Sequence, residues 1–128
     1  MRYLGIDYGT KRVGLALSDE SGVMAFPHSV LENNANLLKS ILSIIEEEEV
    51  KVVVIGHSID KDGKENVIHE EVKELITELT LETGLPVHLE PEQYSTQEAI
   101  TIQGRNKQTD ASAAAIILNS FLTKSKHE

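Results

Sequence analysis

LGIDYGTKRVGLALSD, residues 4–19, is the stretch whose reading decides the fold. Apolar and small residues alternate on both sides of a glycine-containing turn, the pattern of a β-hairpin with strands over 2–7 and 13–18. Residues 23–31 supply a third strand, giving a meander. The hairpin carries one anomaly, Asp7, a carboxylate ending an apolar strand. Such a group is costly to bury, so it is a turn former or part of a site.

Working outward, residues 34–48 carry Leu37, Leu38, Ile41, Leu42, Ile44 and Ile45 at helical spacing, with Asn33 or Asn34 available as N-cap. VKVVVIG, residues 50–56, is β-branched and nearly all apolar, which suits a central strand buried on both faces of a parallel sheet. Residues 64–82 place Val67, Ile68, Val72, Leu75, Ile76 and Leu79 on one side, and Gly84 and Pro86 form a stop. A short strand over 86–90 follows. Ser95-Thr96-Gln97-Glu98 has capping-box spacing for another helix, and Thr109 and Asp110 open a last, alanine-rich one. The order βββαβαβαα, with right-handed crossovers, predicts an α/β fold. Its five-stranded mixed sheet has strands 1, 2 and 3 antiparallel and strands 1, 4 and 5 parallel, flanked by helices.

The 128 residues are the size of one domain spanning 1–128, and no repeat, low-complexity run or linker divides them. No apolar stretch reads as a signal peptide or membrane span, so a cytoplasmic protein is expected, with no membrane partner. The absence of cysteine excludes disulfides, thiolate metal sites and thiol nucleophiles. A net charge of -9 argues against a simple electrostatic nucleic-acid binder.

Ligands of open α/β sheets gather beyond the carboxyl ends of the strands. That edge collects Asp7, Glu90 and Glu92, and Asp110 opens a helix whose alanines permit close approach to the sheet. Crowded carboxylates are stable mainly when a cation neutralises them, and oxygen ligands favour Mg²⁺ or Mn²⁺. The matching chemistry is two-metal phosphoryl transfer, in which no protein nucleophile is required. Gly9 lets the turn backbone approach a phosphate, and Lys11 and Arg12 supply cations for its oxygens. Gly14 keeps the neighbouring strand clear.

The segments D-Y-G-T-K-R-V-G (7–14), V-V-I-G with D-G at 62–63, Y-S-T-Q-E-A (94–99) and T-D-A-S-A-A-A-I-I-L-N-S-F-L (109–122) together resemble the YqgF family over essentially the whole chain. The resemblance implies a ribonuclease H-like fold. It also implies a nuclease acting on pre-16S ribosomal RNA 5′ ends, or alternatively resolving Holliday junctions. It assigns Asp7, Glu92 and Asp110 as catalytic and metal-binding residues; Glu90 is a candidate replacement for the carboxylate that the family commonly carries at position 91. Gly9, Thr10, Lys11 and Arg12 fall to substrate phosphates. Implied partners are pre-rRNA, branched DNA or ribosomal precursor particles, with the chain a monomer or weak homodimer. The sequence departs from the family at Pro91, Gln93 and Ser58, where aspartate, arginine and proline are common.

Each residue also has a plainer reading. Asp110 fits an N-cap, Asp7 an Asx-turn with Gly9, and Glu92 a loop acid. His57 is a candidate proton carrier at the right edge, or a surface group, while His28, His69, His88 and His127 lack metal-site spacing. The run Glu46–Glu49 reads as a solvated helix end. Two further functions stay open: a noncatalytic RNA- or ribosome-binding module, motivated by Pro91 and Gln93, and a phosphate-binding ATPase-type domain, motivated by G-I-D-Y-G-T.

Overall fold

The computed structural model describes residues 1–9, 11–57, 65–90 and 107–126. Strands β1 (Arg2–Tyr8), β2 (Arg12–Ser18) and β3 (Ala25–Glu32) are followed by α1 (Leu37–Glu47), β4 (Val50–His57), α2 (Glu65–Thr83), β5 (Val87–Leu89) and α3 (Lys107–Lys126). The sheet order is β3-β2-β1-β4-β5, with β1–β2 and β2–β3 antiparallel and β1–β4 and β4–β5 parallel. This is the mixed sheet expected. The helix read from Ser95 lies outside the described residues.

The alternation of β1 divides the core. Leu4, Ile6 and Tyr8 point to one face, where Leu37, Ile41 and Ile45 of α1 and Val72, Leu75 and Leu79 of α2 cover them. The other face is covered by α3, whose Ala114, Ala115, Ile117, Leu118 and Leu122 pack on Ala16, Ala25 and Val54. Fully burying one Leu or Ile contributes about 1.5–3 kcal/mol, so the branched chains on the first face carry most of the apolar stabilisation. The second face is thinner because alanines let the helix lie close. A Cβ at Gly5 would fall 2.8 Å from Leu118 Cβ and 3.0 Å from the Ala114 carbonyl oxygen, so that position admits no side chain.

Element ends differ from expectation for local reasons. Strand β3 starts at Ala25 rather than residue 23 because the Asp19 carboxylate accepts from the Val23 N–H (2.8 Å), the Met24 N–H (3.3 Å) and Ser21 Oγ (2.8 Å). Those bonds hold 19–24 as a turn. The β2–β3 register shifts between Leu15 and Ala16, which leaves His28 as an extra residue beside Pro27 on this edge strand. A bulge and a proline both discourage pairing with another chain. Helix α1 begins at Leu37 with Asn36 as N-cap and no side-chain cap bond. Neither Asn33 nor Asn34 caps it, because Asn34 Oδ1 instead accepts from the Asn36 N–H at 2.9 Å and Asn33 is engaged elsewhere. Helix α3 begins at Lys107, so Asp110 lies inside its first turn and is not the N-cap.

The Val23 N–H bond, then Ser21, hold the Asp19 carboxyl below its ordinary pKa of 3.8. A depressed carboxylate contributes stability above its unfolded pKa and loses it as pH falls through the folded value. Asp19→Asn is expected to be less stable than wild type at neutral pH. The difference should narrow as pH drops below about 3.8, as read from urea titrations at stepped pH.

Helix α2 terminates on Gly84 at φ 70°, whereas α1 terminates on Glu49 at φ 55°. A left-handed non-glycine residue costs roughly 1–2 kcal/mol, and an acid at a helix C-terminus opposes the dipole. Glu49→Gly is expected to raise stability by about 1 kcal/mol, measured by chemical denaturation. An unchanged or lower midpoint would contradict it.

Candidate nuclease site

The parallel strands β1, β4 and β5 end at one edge of the sheet. The β1–β2 turn and the end of β3 lie at that edge too. Asp7 is paired with Gly14 on β2 and Gly56 on β4, and the ladder continues through Val30 on one side. On the other side Ile55 pairs with Leu89, so Gly56 stands beside Glu90. One row across the sheet therefore reads Val30, Gly14, Asp7, Gly56, Glu90. Both immediate neighbours of the carboxylate lack side chains. Asp7 is 8% exposed and Glu90 6%. With strands about 4.8 Å apart, the two acids stand roughly 10 Å apart along the backbone.

Asp7 shares its face with Tyr3 and Gly5, the side covered by α3. Tyr3 meets Phe121 with ring centroids 6.1 Å apart, and Gly5 meets Ala114 and Leu118. The helix therefore runs antiparallel to β1. Two strand residues advance about 6.6 Å against about 1.5 Å per helical residue, so Asp7 is level with roughly positions 110–114. The backbone of position 110 thus comes to the Asp7 edge, and with it the partial positive charge of the α3 N-terminus. Glu90 faces the same helix: its N–H extends the ladder to the Ile55 carbonyl at 2.8 Å, and its Oε1 accepts from Ser120 Oγ at 3.4 Å. That contact draws the Glu90 carboxylate toward the later turns of α3.

Gly9 closes β1 with its carbonyl accepting from Asn33 Nδ2 at 2.8 Å, and the Asn33 N–H donates to the Lys11 carbonyl at 2.9 Å. A Cβ at Gly9 would lie 2.6 Å from the Arg12 carbonyl oxygen, so the tight turn requires glycine. Lys11 is exposed and Arg12 half-buried. Behind the turn the Tyr8 hydroxyl donates to Glu71 Oε2 at 2.9 Å. Burial raises its pKa above 10.0, a hydrogen bond with Asn33 opposes the rise, and Glu71 adds to it.

Of the residues picked from sequence, the structure brings Asp7, Gly9, Lys11, Arg12, Glu90 and the backbone of position 110 to one edge. Thr10, Glu92 and the side chains of Asp110 and His57 lie outside what it describes. Among the described residues no group of three or more His, Asp or Glu side chains forms a metal cage. No described helix is long and apolar enough to cross a membrane. Two contributors escaped the sequence reading. Gly56 was legible as a lone small residue ending an apolar run, whereas the Asn33 contacts join segments 24 positions apart and leave no local signal.

Comparison with known proteins agrees with this geometry. A family model described as "RuvX: Holliday junction resolvase" matches residues 1–124. A protein of Oleidesulfovibrio alaskensis named "Putative pre-16S rRNA nuclease" is 37% identical over 132 residues, covering 95% of this chain and 92% of its own length. One of the same name from Maridesulfovibrio salexigens is 35% identical over 134 residues, covering 97% and 99%. Among solved structures, Thermus thermophilus RuvC in complex with a Holliday junction substrate superposes with TM-score 0.67 at 15% identity, covering 98% of this chain and 96% of that one. Fowlpox virus resolvase with Holliday junction DNA gives 0.62 at 11% identity, covering 98% and 99%. These structures establish a ribonuclease H-like, RuvC-type fold. The family match and the close relatives together establish that the chain belongs to the RuvX family, whose members are named as Holliday junction resolvases and pre-16S rRNA nucleases.

Proposed function

We propose that this protein is a metal-dependent endonuclease that hydrolyses phosphodiester bonds, acting in 5′-end processing of pre-16S rRNA. The observation that carries this reading is the Asp7 carboxylate, buried at the carboxyl end of the central strand between two glycines and level with the first turns of α3. The names of the 35–37% identical relatives support the RNA substrate. The donor set is oxygen only, in a chain without cysteine, and fits Mg²⁺ or Mn²⁺. Asp7, Glu92 and Asp110 would hold the cation, whereas Glu90, drawn toward Ser120, fits the role of a further ligand poorly. Bound there, it would lower the pKa of a water and neutralise charge on the phosphodiester.

The protein's own groups do the rest. Asp7 is held rigid by ladders on both sides, so its carboxylate is preorganised. Gly14 and Gly56, its partners in the row, add no side chains of their own beside it. Lys11 and Arg12, at the same edge, attract and orient that phosphate. The local cations matter because the net charge of -9 repels nucleic acid elsewhere.

A second reading, Holliday junction resolution, is favoured by the description of the matching family. Cleavage of an end-labelled, 5′-extended 16S rRNA precursor and of a four-way DNA junction, each with and without Mn²⁺, separates the two. Metal-dependent cuts in the RNA are expected. Cuts confined to the junction would move the assignment to a resolvase, and no cleavage of either by folded protein would leave a binding module.

A further inference from the structure

Asn33 makes more contacts with the β1–β2 turn than a linker residue needs to. Its side chain donates to the Gly9 carbonyl and its backbone N–H to the Lys11 carbonyl, so one residue holds the turn on either side of position 10. Just before the turn, the buried Tyr8 is anchored through its hydroxyl to Glu71 of α2. Asn33 is delivered there by β3, whose last pairs, Val13 with Leu31 and Arg12 with Glu32, bring the following residue alongside the turn. Two carbonyl oxygens that would repel a phosphate are thereby engaged, and the backbone bearing Lys11 and Arg12 is fixed. The backbone N–H serves Lys11 whatever the side chain, so the Gly9 contact is the one that depends on the amide NH₂.

We propose that Asn33 is a positioning residue for substrate phosphate, acting through the Gly9–Arg12 turn. This rests on the nuclease reading above. The contacts predict that Asn33→Asp, which has the same shape but lacks the donors, speeds exchange in the turn as Asn33→Ala does, and that its added negative charge weakens binding at least as much. A space-filling role would leave turn exchange unchanged in the aspartate variant.

The test has two readouts. Amide hydrogen exchange at Gly9, Lys11 and Arg12 is compared in wild type, Asn33→Asp and Asn33→Ala, with Asn34→Ala as control. Affinity for the end-labelled RNA precursor and the four-way junction is measured at fixed salt without metal, so that nothing is cut. Both Asn33 variants should speed exchange in the turn and weaken nucleic-acid binding about tenfold, the equivalent of one well-placed hydrogen bond. Lys11→Ala should weaken binding similarly, and the Lys11→Ala/Asn33→Ala pair should lose less than the product of the single losses, because both act through one contact. Unchanged exchange would overturn the clamp. Faster exchange with unchanged affinity, while Lys11→Ala binds weakly, would make Asn33 merely structural and overturn the proposal. If wild type binds neither nucleic acid although exchange responds to Asn33, the nuclease reading is what has failed, and the positioning role falls with it.

Discussion

Asp7→Asn is expected to lower metal-dependent cleavage by roughly a thousandfold or more, the scale on which a preorganised charged group in a site is felt. Asparagine has the same shape and sits in the same ladder between Gly14 and Gly56, so the fold should be retained. Without metal, the variant's thermal midpoint should stay within a few degrees of that of wild type. Addition of Mn²⁺ should raise the wild-type midpoint and leave the variant's unchanged, since only an ionised carboxylate gains from the cation. Retained cleavage in Asp7→Asn would sink the assignment of Asp7. Loss of cleavage with loss of folding would be resolved by the midpoint measured on the same sample.

Gly5→Val should have the largest effect on stability, a loss of about 3 kcal/mol by urea denaturation, at the upper end of what overpacking costs. The position is enclosed by the Leu118 side chain and by the Ala114 carbonyl, and the latter is helix backbone that cannot rotate away. The valine must therefore push α3 off the sheet. Gly5→Ala should lose less, with the same sign. Activity should fall further in Gly5→Val than its unfolded fraction explains, because the displaced helix is the element that carries position 110. A valine variant as stable as wild type would mean that α3 is not seated as described.

Those two residues also show where sequence was enough. Asp7 stood out because a carboxylate ends a strand otherwise written in apolar and small residues. The VKVVVIG run identified the central parallel strand by chemistry that few other environments accept. Helices α1 and α2 were legible because one face of each is apolar at the right period. The ends were less legible. Residues 23 and 24 read as strand, yet the Asp19 carboxylate captures their N–H groups, a competition that propensity alone does not settle. Asn33 suited an N-cap equally well until β3 was placed beside β2. The candidate site was legible only as a set of residue types at one edge. The row Gly14, Asp7, Gly56 depends on the register of three strands, and register is fixed by pairing rather than by any one segment.

The antiparallel seating of α3 on β1 also bears on when the proposed site is assembled. The two ends of the proposed site are synthesised far apart in time: Asp7 belongs to the first strand made, and position 110 to the last described helix. The hairpin of β1 and β2 can form early from neighbouring residues, but the face that holds Asp7 stays uncovered until α3 emerges and docks. Until α3 has docked, a nascent or refolding chain therefore holds only one half of the proposed site, whatever the state of its hairpin.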